Sequence, residues 1–326
     1  MKTEILRRGG AEGGRAVAES IRLLREGSVV ALPTETVYGL AADALNVDAV
    51  LGIFDAKERP RFDPLIVHLP DAGWMERVAS IGESPQQVIT ALTERFWPGP
   101  LTLILTRNPI VPDIVTGGLD TVAVRVSAHP VFAEIIARFD GPLAAPSANR
   151  FGRISPTTAE HVASELSGRV PLIVDGGSTT HGLESTIVAV RGDMIEILRP
   201  GPITSEQLAE FGQVRIASPS SRVQAPGQLR SHYAPHTQLV VVDDIAAFIG
   251  ERARYGLLAW NSVPLGEPFA KVRILSPAGD FREAAAKLFS CLRELDRCGL
   301  ELIVAEAVPN EGLGTAIMDR LKRAAA

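Results

Sequence analysis

The chain has 326 residues, of which 46% are hydrophobic and 22% are charged, a composition typical of a folded globular protein and not of a disordered one. Its formal net charge is −5, and neither half of the chain has an excess of basic residues, which excludes a general electrostatic nucleic-acid clamp. Cys291 and Cys298 are its only cysteines, so a disulfide framework and a zinc site built from cysteines are excluded.

The N-terminal sequence MKTEILRRGG lacks the apolar stretch of a signal peptide. No uncharged run approaches the ~18 residues that are needed to span a bilayer. We therefore expect a cytoplasmic protein with no membrane contact. Its length suits two domains of ~150 residues each.

Strand-like and helix-like segments alternate from the N-terminus. Val17, Ile21 and Leu24 recur at helical spacing, and Gly27 stands where a helix C-cap is expected. Short apolar, β-branched runs between the helices predict strands that are buried on both faces. These runs are Ser28–Pro33, Pro64–Leu69, Pro100–Leu105, Thr121–Val126, Pro142–Pro146, Pro171–Asp175 and Ser185–Val190.

Helix starts are predicted where a capping residue precedes an amphipathic stretch. Ser84–Pro85 combines an N-cap with a proline at the first helical position, and Ser155–Pro156 has the same pattern, although Ser155 could equally serve a ligand. Thr204 and Gln207 form a capping box for a further short helix.

Residues 214–235 lose this periodicity. The stretch is rich in Ser, Pro, Gly and Arg, which predicts a long linker or an ordered loop. A second α/β unit of roughly 90 residues follows, enough for a small sheet covered by helices. Its predicted strands are Gln238–Val242, Gly256–Trp260, Lys271–Leu275 and Glu301–Ala305, and its predicted helices start at Asp244, cover Phe281–Cys298 and end the chain.

Several common catalytic and nucleotide-binding motifs are absent. The sequence has no Gly-x-x-x-x-Gly-Lys-Ser/Thr loop, no His-Glu-x-x-His and no Gly-x-Ser-x-Gly. Gly312-x-Gly314 lacks the third glycine and the preceding strand of a dinucleotide fingerprint. A nucleotide would therefore be bound by side chains and loops of a less common design.

Polar residues concentrate in five segments at predicted strand ends, where open α/β sheets bind their ligands. The first, Pro33–Leu40, has more hydroxyls and charge than a turn requires, although a loop of threonine turns is the alternative. The second, Lys57–Arg61, could simply complement a helix dipole. His68, which follows, could be a packed and hydrogen-bonded residue.

The other three segments also combine charge with apolar surroundings. Arg125 lies between valines in a buried-type strand and needs an anionic partner, either a protein carboxylate or a substrate. Ala144–Asn149 leaves a strand and is followed by Ser155. Glu184–Ile187 precedes Arg199–Gly201, where the arginine could instead close a surface turn. Each segment is a weak signal alone, but their order is specific.

Together these segments resemble the YrdC-type threonylcarbamoyl-AMP synthases. The shared motifs are Pro33–Gly39, Lys57–Pro60, Pro64–His68, Ser147–Asn149, Ser185–Ile187 and Arg199–Gly201. Ala225–Pro235 resembles the linker signature of the long, two-domain form, from which Gln228 and Ser231 depart. The resemblance covers essentially the whole chain.

The resemblance implies an α/β fold: a twisted, open, mixed sheet with a concave, positively charged cavity, joined to a smaller Rossmann-like α/β domain. It divides the chain into a catalytic domain over residues 1–205, a linker over residues 206–236 and a C-terminal domain over residues 237–326. The linker would close over the active site as a lid.

The resemblance also implies the reaction. L-threonine, bicarbonate or CO2, and ATP would give L-threonylcarbamoyl-AMP and pyrophosphate. Mg2+ would accompany ATP as the cofactor, because phosphates supply much of its coordination and no dedicated metal cage is visible in the sequence. The product would pass to the tRNA threonylcarbamoyl transferase machinery for t6A formation at adenosine 37. Direct tRNA binding is compatible with the resemblance but not required by it.

The site residues implied by the resemblance form two groups. The L-threonine group is Thr36, His68, Arg125, Ala145 (through its backbone) and Ser185, with Arg125 facing the amino-acid carboxylate. The ATP group is Arg59, Asp63, Thr121, Ser147, Asn149, Ser155, Arg199 and Tyr233, with Lys57 and Arg59 as catalytic cations and no protein metal ligand. Asp63 would act through its backbone or a bridging cation, because a free carboxylate repels phosphate.

Three alternatives come from other readings of the same residues. An RNA-binding or ribosome-maturation module would use the cationic cavity as a groove, against which the acidic composition argues. A carbamoyl transferase of hydrogenase maturation would need cysteine-rich zinc segments that two cysteines cannot build. A catalytically silent homologue would have no reason to retain every polar motif.

Overall fold

The computed structural model describes residues 1–82, 85–218, 225–227, 232–263 and 268–326. These residues form one large mixed sheet, one small parallel sheet and the helices that cover them. None of the described helices is long and apolar enough to cross a membrane.

The strands follow the apolar runs of the sequence. In chain order they are β1 (Glu4–Arg7), β2 (Val30–Leu32), β3 (Gly39–Asp43), β4 (Ile66–His68), β5 (Ala79–Ser80), β6 (Leu101–Arg107), β7 (Thr121–Arg125), β8 (Leu143–Ala144), β9 (Leu172–Asp175), β10 (Thr186–Arg191), β11 (Met194–Arg199), β12 (Gln213–Ile216), β13 (Leu239–Val242), β14 (Tyr255–Ala259), β15 (Lys271–Ile274) and β16 (Leu302–Glu306).

The α-helices lie between them. They are α1 (Gly13–Arg25), α2 (Val47–Lys57), α3 (Met75–Val78), α4 (Gln86–Phe96), α5 (Asp113–Thr116), α6 (Pro130–Phe139), α7 (Ala159–Leu166), α8 (Ser205–Leu208), α9 (Phe281–Asp296) and α10 (Gly314–Ala324). Single 3-10 turns cover Gly10–Glu12, Ala72–Trp74 and Arg252–Arg254.

The large sheet has the order β1-β9-β2-β3-β8-β4-β7-β6-β10-β11-β12, with β5 paired to β6. The sheet contains parallel pairs, such as β4 with β7, and antiparallel pairs, such as β6 with β7. The small sheet, β13-β16-β14-β15, is parallel throughout. The expected fold class, an open mixed sheet with a smaller α/β unit, is therefore confirmed.

The register of the central strands brings the polar segments together. His68 at the end of β4 lies opposite Arg125 at the end of β7. The start of β10 at Thr186 pairs with the start of β6, which runs antiparallel to β7, so the segment before β10 lies near Arg125. Residues far apart in sequence thus meet at one edge of the sheet.

An apolar cluster joins the two sheets. Helices α9 and α10 contribute Phe289 and Ile317, and the first part of the chain contributes Val37 and Leu183, all of them buried. Buried side chains of this size each stabilise by about 1.5–3 kcal/mol. The C-terminal unit is therefore packed against the strands that carry the polar segments.

The predicted strands of the first unit are confirmed, whereas two of the predicted helix starts are wrong. All seven strands predicted before residue 191 are present, and the capping box of Thr204 and Gln207 forms. The helix predicted from Asp244 is wrong, because the described residues after β13 form turns. The start predicted at Ser155–Pro156 is also wrong, since α7 begins at Ala159 with Thr158 as its N-cap.

Two further predictions concern the edges of elements. The stretch predicted as a linker begins with β12, which pairs with β11 at the edge of the large sheet. Ser84, predicted as an N-cap, lies outside the described residues, and so do Gln228 and Ser231 of the linker signature.

Candidate active site

A cavity lined by residues of the first unit and of the linker gathers most of the predicted site residues. The predicted residues that line it are Thr36, Arg59, His68, Arg125, Ala145, Ser147, Ser185, Arg199 and Tyr233.

Arg125 is held by the loop that precedes β3. Its Nη2 donates to Glu35 Oε1 at 2.5 Å, its Nη1 to Thr36 Oγ1 at 3.0 Å and its Nε to Gly99 O at 3.1 Å. Ser127 Oγ donates to the other oxygen of Glu35 at 2.5 Å. Burial opposes the ionisation of Glu35, but Arg125 and Ser127 outweigh it and lower the pKa of this carboxyl to about 2.

His68 adds a neutral ring to this side of the cavity. Its imidazole packs on Phe132 with 4.7 Å between ring centroids. Burial, followed by the charge of Arg125, lowers the pKa of His68 to about 3. Its Nδ1 has no hydrogen-bond partner among the residues that the structure describes. A buried, unpaired and neutral ring nitrogen facing a cavity is suited to a ligand contact.

Arg59 enters the cavity directly after helix α2. Glu58, the C-cap of this helix, has a left-handed backbone with φ 55°, which ends the helix and redirects the chain. Arg59 Nη2 lies 2.9 Å from Asp63 Oδ2 and donates to Pro64 O at 2.8 Å, while its Nε donates to Asp63 O at 3.2 Å. Asp63 is fully buried and does not line the cavity, so its carboxylate faces the guanidinium of Arg59.

Lys57 supports the cavity from behind. Its ammonium group donates to the carbonyl oxygens of Ser147 and Asn149, the latter at 2.5 Å. The Asn149 amide in turn donates to Arg150 O at 2.7 Å and Arg153 O at 2.9 Å. Burial and the nearby Arg59 lower the pKa of Lys57 to about 7. Neither Lys57 nor Asn149 lines the cavity; both hold the loop that presents Ser147.

Arg199, the last residue of β11, connects the strand edge to the linker. Its Nε donates to Ser185 O at 3.1 Å, its Nη2 to Ser185 Oγ at 3.0 Å and its Nη1 to Pro226 O at 3.3 Å. Ser185 Oγ also lies 2.7 Å from Thr102 Oγ1. Arg199 is therefore a buried cation of the cavity wall and not a surface turn.

The described part of the linker lies over the cavity. Pro226, Gly227, His232 and Tyr233 line it. Tyr233 has a left-handed backbone with φ 65°, and its ring stacks on Phe289 of α9 with 5.5 Å between centroids. Burial raises the pKa of Tyr233 to about 12, and its hydroxyl has no hydrogen-bond partner in the described ranges. The described linker residues therefore cover the cavity, and the phenol of Tyr233 lies in its wall without a hydrogen-bond partner among the described residues.

Ser155 lies behind the cavity wall, where its side chain is hydrogen-bonded. Its Oγ donates to Glu184 Oε1 at 2.5 Å. Arg320 Nε, from helix α10, donates to Glu184 Oε2 at 2.8 Å. Ser155 does not line the cavity, but Glu184 does. The first and second units therefore share an ionic network at this wall.

Thr121 is the predicted residue that the fold places elsewhere. It begins β7, whereas Arg125 ends it, and four strand residues correspond to about 13 Å. Thr121 lines a separate cavity with Thr106 and Gly192. The structure does not bring it to the other site residues.

Sequence reasoning did not single out Glu35, Glu184 and Arg320 as site residues. The signal for Glu35 was present, because the buried Arg125 required an anion and Glu35 lies in a predicted motif. No comparable local signal exists for Arg320, which lies in the terminal helix 136 residues from its partner Glu184.

The charges of the site are predominantly positive. Four buried guanidinium groups, those of Arg59, Arg125, Arg199 and Arg320, and the buried amino group of Lys57 accompany three buried carboxyl groups, those of Glu35, Asp63 and Glu184. Within the described residues, no group of three or more His, Cys, Asp or Glu side chains is placed to hold a metal ion. Such an arrangement is suited to anionic ligands held by guanidinium groups.

Two family models match the chain in succession. The Sua5/YciO/YrdC model, described as telomere recombination, matches residues 22–201. The model of the threonylcarbamoyl-AMP synthase C-terminal domain matches residues 203–326.

Individual relatives match almost the whole chain. Threonylcarbamoyl-AMP synthase of Pyrococcus abyssi is 41% identical, over 92% of this chain and 91% of its own length. That of Bacillus subtilis is also 41% identical, over 95% and 92%. The crystal structure of Pyrococcus abyssi Sua5 complexed with L-threonine superimposes with a TM-score of 0.89 and 37% identity, covering 99% of this chain and 98% of that one. The chain therefore belongs to the Sua5/YciO/YrdC family, in the form that carries the Sua5 C-terminal domain.

Proposed function

We propose that this protein is a threonylcarbamoyl-AMP synthase. It joins L-threonine, bicarbonate or CO2, and ATP into L-threonylcarbamoyl-AMP and releases pyrophosphate. The observation that carries the proposal is one cavity lined by three buried guanidinium groups, those of Arg59, Arg125 and Arg199. The names of relatives that match this chain from end to end support the same reaction.

The reaction concentrates negative charge. The threonine nitrogen attacks the carbon of CO2 and loses a proton, which gives a carbamate. A carbamate oxygen then attacks the α-phosphorus of ATP, and pyrophosphate leaves with the electron pair of the broken P–O bond. The substrates bring a carboxylate, a carbamate and a triphosphate into one space, so fixed cations stabilise the transition state.

Water exclusion contributes in the same place. A carbamate is short-lived in water, and a closed cavity holds it against the α-phosphorus while solvent is kept out. The linker residues over the cavity, His232 and Tyr233, are both buried. We propose that the linker opens for substrate entry and closes for the reaction.

The threonine half of the cavity is proposed to consist of Thr36, His68, Arg125, Ala145 and Ser185. Arg125 and the hydroxyl of Thr36 would bind the amino-acid carboxylate. A pKa of about 3 makes His68 a poor base near neutral pH. We therefore assign it a hydrogen bond to threonine, which would enter as the free amine.

The nucleotide half is proposed to consist of Arg59, Ser147, Arg199 and Tyr233, with ATP entering as its Mg2+ complex. Residues behind the wall then have supporting roles. Asp63 orients Arg59, and Lys57 and Asn149 hold the loop of Ser147. Ser155 acts through Glu184. Thr121 has no role in this proposal because of its distance from the cavity.

The product is a reactive mixed anhydride, so a second enzyme must collect it. We propose that it is handed to the tRNA threonylcarbamoyl transferase machinery, with tRNA binding left to that machinery. The alternative, an RNA-binding module, predicts a tRNA gel shift with steep salt dependence and no turnover.

The decisive experiment measures pyrophosphate release from ATP as a function of L-threonine and bicarbonate. We expect release only when both are present. Arg59→Ala should reduce it by at least ~100-fold, because a buried phosphate-binding cation is lost. Arg61→Ala, two residues away on an exposed side chain, is the matched control and should retain activity. Wild-type protein that binds ATP but releases no pyrophosphate with threonine would refute the proposal.

A further inference from the structure

Arg320 is a fully buried arginine of the C-terminal unit, with 0% of its surface exposed. Its Nη1 meets Asp319 Oδ2 at 2.6 Å, its Nη2 donates to Pro200 O at 3.0 Å and its Nε donates to Glu184 Oε2 at 2.8 Å. Helix α10 already packs through buried apolar residues such as Ile317 and Leu321. A buried guanidinium is costly to desolvate, so its position calls for a reason other than the docking of this helix.

Glu184 supplies that reason. Its carboxylate lies in the wall of the cavity with 6% of the residue exposed. An uncompensated carboxylate at this place would repel a triphosphate. Burial opposes its ionisation, but Arg320 and Arg199 outweigh burial and lower the pKa of Glu184. Glu184 is therefore an anion in a cavity for anions, and it depends on a cation from the other unit.

The pair of Glu184 and Arg320 also contacts Ser155, which lies behind the wall, and Tyr233, which belongs to the nucleotide half. The hydroxyl of Ser155 donates a hydrogen bond to Oε1 of Glu184, whereas Arg320 donates to Oε2. The guanidinium of Arg320 lies over the ring of Tyr233, 5.2 Å from the centroid, within range of a cation–π contact. Loss of Arg320 would thus disturb the charge of the wall and the placement of the linker tyrosine together.

We propose that Arg320 is a positioning residue that the C-terminal domain supplies to the nucleotide half of the cavity. It neutralises the carboxylate of Glu184 and holds the ring of Tyr233 against the cavity. The wall that faces ATP then carries no uncompensated negative charge from Glu184. The inference rests on the proposed function for the identity of the nucleotide. It assigns the C-terminal domain a part in ATP binding, exerted through Glu184 and Tyr233, beyond covering the first domain.

The test is a double-mutant cycle on ATP affinity, measured by calorimetry without threonine and as KM with threonine. We expect Arg320→Ala to weaken ATP binding by at least ~10-fold, the size of one lost compensating charge contact. The KM for L-threonine should stay within about twofold, since no contact of Arg125 changes. Adding Glu184→Gln to Arg320→Ala should restore ATP affinity to within about threefold of Glu184→Gln alone, because the repelling charge is gone.

Arg323→Ala is the matched control. Arg323 lies three residues further along the same helix and also pairs with Asp319, at 3.0 Å, but the ion pair with Glu184 is made by Arg320. This variant should keep wild-type ATP affinity. If the double variant is as impaired as Arg320→Ala, the arginine merely fastens the two domains and the proposal is overturned. Unchanged ATP affinity in Arg320→Ala overturns it as well.

Two safeguards keep the outcomes separate. If Arg320→Ala does not fold, judged by circular dichroism and gel filtration, Arg320→Lys with and without Glu184→Gln is read in the same way. Failure of the proposed function would be visible in the wild-type protein, as absent threonine-dependent pyrophosphate release. Failure of the present inference would be visible only in the ratios between variants.

Discussion

The two halves of the cavity reach electrostatic balance by different routes. In the threonine half, Arg125 is compensated by Glu35 from a loop of the same sheet, at 2.5 Å. In the nucleotide half, Glu184 is compensated by Arg320 from the C-terminal helix, at 2.8 Å. In the threonine half both members of the ion pair come from the first unit, whereas in the nucleotide half each unit contributes one member. From this difference we expect loss of the C-terminal domain and linker to affect the binding of one substrate more than that of the other.

The strongest test of the first half is Arg125→Ala. We expect kcat/KM for L-threonine to fall by about 100- to 1000-fold, because the cation facing the substrate carboxylate is lost. The free energy of unfolding should also fall by about 3–5 kcal/mol, since Glu35 remains buried without its partner. Steady-state kinetics and urea unfolding measure the two effects. Arg138→Ala, on an exposed side chain of α6, should change neither.

An unchanged KM for L-threonine in Arg125→Ala would contradict the assignment of Arg125 to the threonine half. An equal effect of the variant on ATP and on threonine would contradict it as well, because the hydrogen bonds of Arg125 join it to Glu35, Thr36 and Gly99, which lie outside the nucleotide half.

Truncation after residue 218 tests the second half. It removes the linker with Tyr233 and the helix with Arg320 but keeps β12 in the large sheet. We expect the KM for ATP to rise by about 10- to 100-fold, as charged contacts worth 1.5–3 kcal/mol are lost. The KM for L-threonine should rise far less. Gel filtration and circular dichroism report whether the shortened chain folds, and an equal loss for both substrates would contradict the division into halves.

The smallest effect concerns His68 and pH. Its folded-state pKa is about 3, below the ordinary 6.5, so the unfolded chain takes up a proton as the pH falls below 6.5 and the folded protein does not. Stability is therefore lost on acidification, by roughly 2 kcal/mol at pH 5 relative to pH 8 for this group. Urea unfolding at both pH values should show a smaller loss in His68→Gln, while His236→Gln, at an exposed histidine, keeps the wild-type difference.

An equal pH difference in wild type and His68→Gln would mean that His68 has the same pKa in the folded and unfolded chains and is therefore charged at pH 5 in the folded protein. The threonine half would then hold another cation, and its balance with Glu35 would need revision.

Much of the fold could be predicted because its strands are short and apolar, and several of them are bounded by proline or glycine. Thr121–Arg125 and Leu172–Asp175 are examples in which the local pattern is complete. The helix predicted from Asp244 failed because a capping aspartate is also a turn residue, and its side chain accepts from Ala246 N in a turn. A capping signal without a following amphipathic stretch does not decide between the two.

Like the fold, the candidate site could be predicted only in part from local sequence patterns. The sequence showed that Arg125 needs an anion but left open whether a protein carboxylate or a substrate provides it. Packing settled the protein side of that question with Glu35. Lys57 was predicted beside ATP, but its ammonium group is occupied by two backbone carbonyls of the loop that follows β8. Residue types were visible in the motifs, whereas their hydrogen-bond partners were not.

By itself, the sequence determined which segments carry cations and hydroxyls and that they follow or precede buried strands. Tertiary structure alone decided which charges neutralise each other, as in the pairing of Glu184 with Arg320 across 136 residues of chain. The reason is physical: the strength of a charge interaction depends on distance and burial, and both are set by elements that meet only after the chain has folded.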